Sequence, residues 1–225
     1  MAPALLVGLP LVLSAVAWFP EEVLDWGGLW GLVTYCGFTV LLAQIVRDFG
    51  KRKEYNLFKS WGGAPAVRKL RHRHAENAVT LARYHENLSR LMPNLQIPDP
   101  EAEEKNPQAA DEVYESCCLF LREKTRDHTK FQLLFQENIN YGFRRNLWAM
   151  KAIGMSFSAL ASVAMAGAIY FNASQPASST PPATYACGGI NLFLLLCWLL
   201  CITRNWVKTA ADAYAERLLG ASDDL

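Results

Sequence analysis

The chain has 225 residues, of which 52% are hydrophobic, and its 22 Lys and Arg nearly balance its 21 Asp and Glu. The mean hydropathy of +0.06 would suit a soluble protein, but the apolar residues are concentrated in long uncharged stretches. This segregation argues against one or two ordinary soluble domains and predicts an all-α membrane protein.

Four uncharged stretches are long enough, or nearly so, to cross about 30 Å of hydrocarbon as helices. They are Ala4–Phe19, Trp26–Val46, Ile153–Phe171 and Ala186–Thr203. We predict that they form two transmembrane hairpins, residues 1–46 and 152–203, with a polar domain, residues 47–151, inserted between them. Residues 204–225 are predicted to form a polar C-terminal tail.

The first stretch allows a second interpretation, a signal peptide cleaved after Ala15-Val16-Ala17. These small residues resemble a signal peptidase site. However, no Lys or Arg precedes the stretch, so the basic segment typical of signal peptides is missing. We therefore favour a retained membrane span.

The Lys and Arg residues lie on one side of the predicted spans only. Nineteen of the 22 fall in Arg47–Lys151 and three in Arg204–Leu225, whereas the turns Pro20–Asp25 and Asn172–Tyr185 contain none. By the positive-inside rule, this distribution predicts that both termini and the central domain are cytoplasmic.

The central domain is predicted to be helical, because its apolar residues recur at helical spacing and no strand alternation is present. Its predicted elements are a helix over Ala75–Met92, an unpacked loop over Pro93–Asn106, a helix over Pro107–Arg126, and a helix from about Lys130 through Trp148. Asp127 or Thr129 is the candidate N-cap of the last helix.

Two basic clusters stand out in this domain. Lys51-Arg52-Lys53 follows the second predicted span directly and is most simply a topology anchor at anionic headgroups. The second cluster, WGGAPAVRKLRHRH, begins at Trp61 and lies beyond the reach of such an anchor. Arginines beside a stacking aromatic are typical of single-stranded nucleic-acid or nucleotide sites, although a general basic surface is also possible. The candidate ligand residues here are Trp61, Arg68, Lys69, Arg71, Arg73 and His74.

A third group, ENINYGFRRN, precedes the third predicted span. Arg144 and Arg145, with Trp148 and Lys151, fit an ordinary interfacial girdle of aromatic and basic residues. That interpretation does not explain Tyr141 and the neighbouring asparagines. Tyr141, Arg144 and Arg145 are therefore further candidate ligand residues, placed where a ligand would pull on the third span.

The predicted spans contain no Asp, Glu, Lys, Arg or His, which argues against a proton- or ion-coupled transporter. Their neutral polar and small residues allow two interpretations. Close helix packing of the small-xxx-small kind accounts for the spacing in the third span. A pore lined by hydroxyls and small residues would use the same pattern. The candidate pore-lining residues are Ser158, Ser162, Ala166, Asn191 and Gln44.

The sequence contains no arrangement that predicts an enzyme, a cofactor or a metal site. It has no P-loop, nucleophile elbow or paired carboxylates, and its four histidines lack ligand spacing. The adjacent Cys117 and Cys118 are predicted to be small packing residues in a reducing compartment.

The two-hairpin layout, with the strings WGGAPAVRKLRHR and ENINYGFRRN, resembles the membrane effector of Hailong-type bacterial antiphage defence systems. The resemblance implies a homotetrameric inner-membrane channel that is kept shut by a single-stranded DNA oligomer. A partner nucleotidyltransferase would make this oligomer, and its loss during infection would open the channel and depolarise the cell. Several Arg and Lys contacts, multiplied by symmetry, would suit such a polyanion.

An alternative of a different class remains open. The chain would then be a non-conducting membrane scaffold whose basic cytoplasmic face recruits lipid or a protein partner.

Overall fold

The computed structural model describes the backbone of residues 2–18, 29–175 and 180–225, and the side chains of these ranges except residues 2 and 29–39. Every regular element in these ranges is helical, which confirms the predicted all-α class. The α-helices are α1 (Ala2–Trp18), α2 (Leu29–Trp61), α3 (Pro65–Leu70), α4 (Ala78–Leu91), α5 (Pro100–Lys105), α6 (Pro107–Lys124), α7 (Gln132–Ala149), α8 (Lys151–Ala173), α9 (Pro182–Leu200) and α10 (Arg204–Gly220), with 3-10 turns at His72–His74 and Ala221–Asp224.

The chain divides into two compact units. Unit 1 comprises Met1–Lys53 and Gly142–Trp206, and unit 2 comprises Glu54–Tyr141 and Val207–Leu225. Helices α2, α7 and α10 therefore each have residues in both units. The predicted C-terminal tail is mostly helix, and its residues from Val207 onward belong to unit 2.

Within unit 1, α8 and α9 are long and apolar enough to cross a membrane. Only 22% and 17% of their most apolar 18-residue stretches are buried, so most of this apolar surface faces outward. Lipid contact requires such exposure, whereas the core helix of a soluble protein buries its apolar face. Leu160, Val163 and Phe193 are among the outward-facing side chains.

The other two predicted spans are described less fully. Helix α1 is apolar but has only 17 residues. The second predicted span, Trp26–Val46, is helical from Leu29, while Trp26–Gly28 and the side chains of residues 29–39, Thr34, Cys36 and Thr39 among them, lie outside the described part. The short predicted turn Pro20–Asp25 lies outside it entirely.

Helices α1, α8 and α9 pack together, and glycine brings α8 close to α9. A Cβ atom on Gly154 would overlap the Trp198 ring, so only glycine allows this approach. Further along, the Cβ position of Gly188 lies 3.4 Å from Cβ of Met165. The two contacts show that α8 and α9 run antiparallel, as predicted for a hairpin.

Unit 2 is built on a buried apolar cluster to which α3, α4, α6 and α10 contribute. Leu70, Leu88, Tyr114 and Leu219 are fully buried in it. Polar side chains cap the N-termini of three helices of unit 2. Asn77, Asp99 and Asn106 accept hydrogen bonds from N–H groups in the first turns of α4, α5 and α6, respectively. Asp127 accepts from the N–H groups of Thr129 and Lys130 in the turn that precedes α7. Helix α7 itself begins at Gln132, so neither predicted N-cap, Asp127 or Thr129, directly precedes it.

The loop predicted over Pro93–Asn106 is corrected by the structure. Residues 100–105 form the short helix α5, and Glu103 in it is 2% exposed. The prolines and acidic residues suggested an unpacked segment. Instead, Pro100 begins the helix, and the Glu103 carboxylate accepts hydrogen bonds from the backbone N–H groups of His72 and Arg73. The predicted helix over Ala75–Met92 also begins later, at Ala78, because Asn77 caps it.

The turn between α2 and α3 depends on two glycines. Gly62 and Gly63 have φ values of +79° and +128°, which side chains with a Cβ rarely adopt. A Cβ on Gly63 would also lie 2.7 Å from a guanidinium nitrogen of Arg71. Both glycines are therefore required by the turn, and Gly63 is also required by the close approach of Arg71.

We predict that Gly63→Ala destabilises unit 2 by about 1–3 kcal/mol, the range for a non-glycine residue in such a backbone region. Gly220→Ala is the matched control, because Gly220 has φ −61° and open space around its Cβ position. The control should be neutral or stabilising by about 0.4–1 kcal/mol. Thermal unfolding of the detergent-solubilised protein measures both, and equal midpoints for the two variants would contradict the assignment.

Candidate functional site

Arg71, a predicted ligand residue, lies inside unit 2 and is 5% exposed. Its Nε and one Nη donate to the two carboxylate oxygens of Asp111 at 2.7 Å each, and its other Nη donates to the Gly62 carbonyl at 2.6 Å. This bidentate, charge-assisted pairing is among the stronger hydrogen-bonding arrangements in proteins. The guanidinium therefore ties the glycine turn to α6, and in this arrangement it is not exposed to a ligand.

Glu103 holds the chain that follows Arg71. Its carboxylate accepts from the N–H groups of His72 and Arg73 at 2.7 and 3.3 Å, and from the Tyr114 hydroxyl at 3.0 Å. Burial alone would raise the pKa of Glu103, but these hydrogen bonds outweigh it and hold the pKa below its ordinary value. Burial, together with the hydrogen bond to Glu103, raises the pKa of the Tyr114 hydroxyl.

Three other basic residues of the cluster WGGAPAVRKLRHRH, namely Arg68, Arg73 and His74, form a positive edge on unit 2. Arg73 is partly exposed, 3.7 Å from Glu103 and 3.6 Å from Asp111. Nε of Arg68 is buried and has no hydrogen-bond partner in the part of the chain that the structure describes. Partial burial, followed by the charges of Arg71, Arg68 and Arg73, lowers the pKa of the exposed His74. His74 thus lies in a positive potential.

His74 is also at the border of a cavity of about 940 Å³ in unit 2. The cavity lies among α4, the start of α7, the end of α10 and the turn Ala221–Asp224. Its basic lining residues are Lys69, His74, Arg83, Lys130 and Arg217, and its acidic ones are Glu76, Glu137, Glu216, Asp223 and Asp224. Two of the predicted ligand residues, Lys69 and His74, therefore line it.

Several of the lining charges are paired with one another. Lys69 donates to Glu216 at 2.8 Å, and although burial lowers the pKa of Lys69, this pairing outweighs it and raises the pKa. Arg83 lies 3.6 Å from Asp223. Lys130 donates to the carbonyl of Asp224 at 2.7 Å. The lining therefore carries both signs of charge, and its exposed ion pairs are weak enough for a ligand to replace.

Neutral groups complete the lining. Asn77, Thr80 and Gln132 supply amide and hydroxyl groups, whereas the bordering Tyr84 and Phe131 are buried core residues, 9% and 7% exposed. Sequence reasoning missed Arg83, Lys130 and Arg217 because they are far apart in sequence, on α4, before α7 and on α10. No local motif brings them together.

The other candidate ligand residues are placed elsewhere. Trp61 is partly buried, with its ring centroid 6.0 Å from that of Phe58, and does not line the cavity. Tyr141, in unit 2, is buried, donates to Glu54 at 2.6 Å and stacks on Tyr214.

Arg144 and Arg145 belong to unit 1. Arg144 donates to the Trp206 carbonyl at 3.0 Å and lies over its ring, and Arg145 donates to Asn146. The third group, ENINYGFRRN, thus has residues in both units.

The candidate pore-lining residues differ in exposure. Ser158 and Asn191 are 0% exposed inside unit 1, and Ser162 is partly exposed with its hydroxyl donating to the Ser158 carbonyl. Ala166 and Gln44 are exposed. The three candidates in α8, Ser158, Ser162 and Ala166, therefore do not share one surface. Each four-residue step rotates by 400°, slightly more than one full turn, so each successive residue is shifted around the helix.

Cys117 and Cys118 are buried in unit 2. Burial raises the pKa of the Cys117 thiol to about 11 and that of Cys118 to about 12, so both stay protonated at neutral pH. A protonated thiol is neither a metal ligand nor a nucleophile. Within the described residues, no three His, Cys, Asp or Glu side chains are grouped to hold a metal ion.

Comparison with protein families, with characterised proteins and with solved structures found no match to this chain.

The Glu103 interactions make a pH-dependent prediction. Because the folded-state pKa is below the ordinary value of about 4.3, the carboxylate stabilises unit 2 above that pH, and this stabilisation is lost as the pH falls through the folded pKa. Glu103→Gln should therefore cost about 1.5–3 kcal/mol at pH 7, the range for hydrogen bonds to charged groups, and progressively less in acid.

The measurement is the unfolding midpoint in detergent at neutral pH and at about pH 3, below the ordinary carboxyl pKa. Glu104→Gln is the control, since Glu104 is the exposed neighbour on α5. A Glu103→Gln deficit that is equal at both pH values, or no larger than that of Glu104→Gln, would contradict the role assigned to Glu103.

Proposed function

We propose that the chain is a membrane effector, a homo-oligomeric channel gated by a single-stranded DNA or other oligonucleotide bound to unit 2. The observation that carries this proposal is the cavity of about 940 Å³ with five basic lining residues, in a chain whose α8 and α9 present outward-facing apolar surface. Pockets of this size hold small ligands or one or two nucleotides.

The lining chemistry favours a nucleotide over a simple polyphosphate. Phosphates would pair with Lys130, Arg217 and Arg83, while the positive edge at Arg68 and Arg73 would continue the contact outside the cavity. The acidic side chains and the Asn77 and Gln132 amides can bond the amino and carbonyl groups of bases. An inorganic polyphosphate would use only the basic half of this lining.

The membrane arrangement follows the sequence prediction. Helices α1 and α2 supply the first and second spans, α8 and α9 the third and fourth, and both termini and residues 47–151 are cytoplasmic. The one-sided Lys and Arg distribution supports this orientation in a bacterial inner membrane. A ligand on unit 2 can act on unit 1 through α2, α7 and α10, because each of these helices contributes residues to both units.

The physiological role rests on the sequence resemblance. In an antiphage system, a partner nucleotidyltransferase supplies the oligonucleotide, which holds the tetrameric channel shut. Loss of the ligand during infection opens the channel and depolarises the cell. This proposal requires no enzyme activity, metal or cofactor in the chain itself.

The charge balance of the cavity favours a second candidate, a non-conducting membrane scaffold. Five acidic residues face four Lys and Arg in the lining, and Arg71 is held internally by Asp111. A mixed lining of this kind also fits a polar segment of a protein partner. The two functions differ in whether oligonucleotide binds and whether ions flow.

The ligand prediction concerns Lys130 and Arg217, which are both exposed. If each contacts a phosphate, Lys130→Gln and Arg217→Gln should each weaken oligonucleotide binding at every sequence tested. Each should also reduce the log–log salt slope by about 0.7, the value for one single-strand phosphate contact. Fluorescence anisotropy with a labelled oligodeoxynucleotide at several salt concentrations gives both quantities.

Arg90→Gln is the matched control, because Arg90 is an exposed arginine of α4 that does not line the cavity. Replacement of Arg71 is unsuitable, since losing its Asp111 pair would destabilise unit 2. Unchanged affinity and slope in the Lys130 and Arg217 variants would exclude the cavity as the ligand site. Absence of any binding by the wild-type chain would favour the scaffold.

The topology prediction uses single cysteines at Glu101 and Gln175, both exposed, after the natural cysteines are replaced. A membrane-impermeant maleimide applied to cells with a permeable outer membrane should label position 175. Position 101 should react only after the inner membrane is opened, because the positive-inside rule places it in the cytoplasm. The reverse pattern would rule out the proposed orientation.

A further inference from the structure

Two buried polar side chains in unit 1 have no hydrogen-bond partner in the part of the chain that the structure describes. Asn191 on α9 and Ser158 on α8 are each 0% exposed. Among the residues that the structure describes, nothing bonds the Ser158 hydroxyl or either polar atom of the Asn191 amide. Buried polar groups in native proteins are nearly always paired, so unpaired ones need a physical explanation.

The two residues lie within about one helical turn of each other along the α8–α9 hairpin. Gly154 packs on Trp198 and Met165 on Gly188, which fixes the antiparallel register at both ends. Interpolation between these contacts places Asn191 opposite Ala161 and Ser162. Ser158 precedes Ala161 on the same buried face of α8.

Helix α1 packs against both α8 and α9 and covers this level of the hairpin. Its Leu13 carbonyl accepts a hydrogen bond from the Cys187 thiol at 3.5 Å, and its Ala4 and Val7 share a buried cluster with Trp198. Asn191 lies between Cys187 and Trp198 in α9. The corresponding level of α1 is therefore the fully buried Pro10.

Helix α1 offers these polar groups almost nothing to bond. Its side chains with hydrogen-bonding groups are Ser14 and Trp18, and the Ser14 hydroxyl already donates to the Pro10 carbonyl at 2.8 Å. Pro10 itself has no N–H to donate. The cover over Asn191 and Ser158 is thus apolar at the level where the hairpin is polar.

Water is the ligand that fits these groups. The Asn191 amide has an unpaired donor as well as an unpaired acceptor, and a cation would satisfy only the acceptor. Water accepts from an amide N–H and donates to an oxygen, so it serves Asn191 and Ser158 alike.

We propose that α1 is a removable cover on a polar face of the α8–α9 hairpin, and that Asn191 and Ser158 contact water when α1 moves away. The structure is then the covered state, in which no group of the described residues bonds these two side chains. The inference deepens the proposed channel function, because the uncovered face would supply the polar lining of the pore. The covering itself can be tested whether or not the protein conducts ions.

The first test compares serine variants of equal size. Ser158→Ala removes an unpaired hydroxyl and should raise the unfolding midpoint of the detergent-solubilised protein by about 2–4 °C. Ser162→Ala removes a hydroxyl that is already bonded, and it should leave the midpoint unchanged or lower it. Asn191→Leu, which fills the same space without polar atoms, should also raise the midpoint. A fall with both Ser158→Ala and Asn191→Leu would overturn the proposal, because it would show that these groups are satisfied in the covered state.

The second test uses Cys187 as a reporter of α1 in a variant whose other five cysteines are replaced. Cys187 is partly buried in the structure, so a water-soluble thiol reagent should label it slowly while α1 covers it and faster when α1 moves off. Asn191→Leu should slow this labelling about tenfold, since the covered state no longer buries an unpaired amide. Leu13→Trp, which crowds the contact, should speed it. Labelling rates unaffected by both changes would also overturn the proposal.

Conductance separates this inference from the proposed function. If the midpoints and labelling rates behave as expected but reconstituted protein passes no ions, the cover stands and the channel function fails. If the protein conducts but neither Cys187 labelling nor current responds to Asn191→Leu, the channel stands and the cover fails.

Discussion

The structure of unit 2 depends on the ion pair between Arg71, which is buried, and Asp111, which is partly exposed. Without it, the Gly62 carbonyl would lose its partner and a buried charge would be left uncompensated, which costs about 3–5 kcal/mol in other proteins. The same pair fixes the chain direction at residue 71, so that the next two N–H groups reach Glu103 and His74 reaches the cavity. The candidate ligand site is therefore positioned by an arginine that itself is buried.

This pair also shows where sequence reasoning stopped. The six candidate ligand residues of WGGAPAVRKLRHRH were treated as one surface, whereas the structure buries Arg71. Residue type alone does not distinguish an arginine that faces solvent from one held by a carboxylate forty positions away. Asp111 and Glu103 lie in segments interpreted as a helix start and an unpacked loop, so their partnership with Arg71 and Arg73 was visible only in three dimensions.

The helices were more predictable than the faces they present. The uncharged stretches and the cap residues placed α8, α9, α6 and α7 within a few residues, because hydrophobic length and capping are local properties. Which side of α8 is buried depends on its neighbours: Gly154 accommodates Trp198, and that contact turns Ser158 inward while Ala166 faces out. The predicted pore-lining residues therefore differ in exposure because of packing between helices. The sequence pattern of one helix does not contain that information.

The most direct test of the central claim is ion flux through the purified protein in liposomes, with and without a single-stranded oligodeoxynucleotide. A dye that reports membrane potential under a potassium gradient follows the flux, and density-gradient flotation verifies incorporation. The oligonucleotide-gated channel predicts flux in the protein alone and its suppression by added oligonucleotide on the side that unit 2 faces. Incorporated protein that passes no ions in either condition, or conducts equally in both, would contradict it.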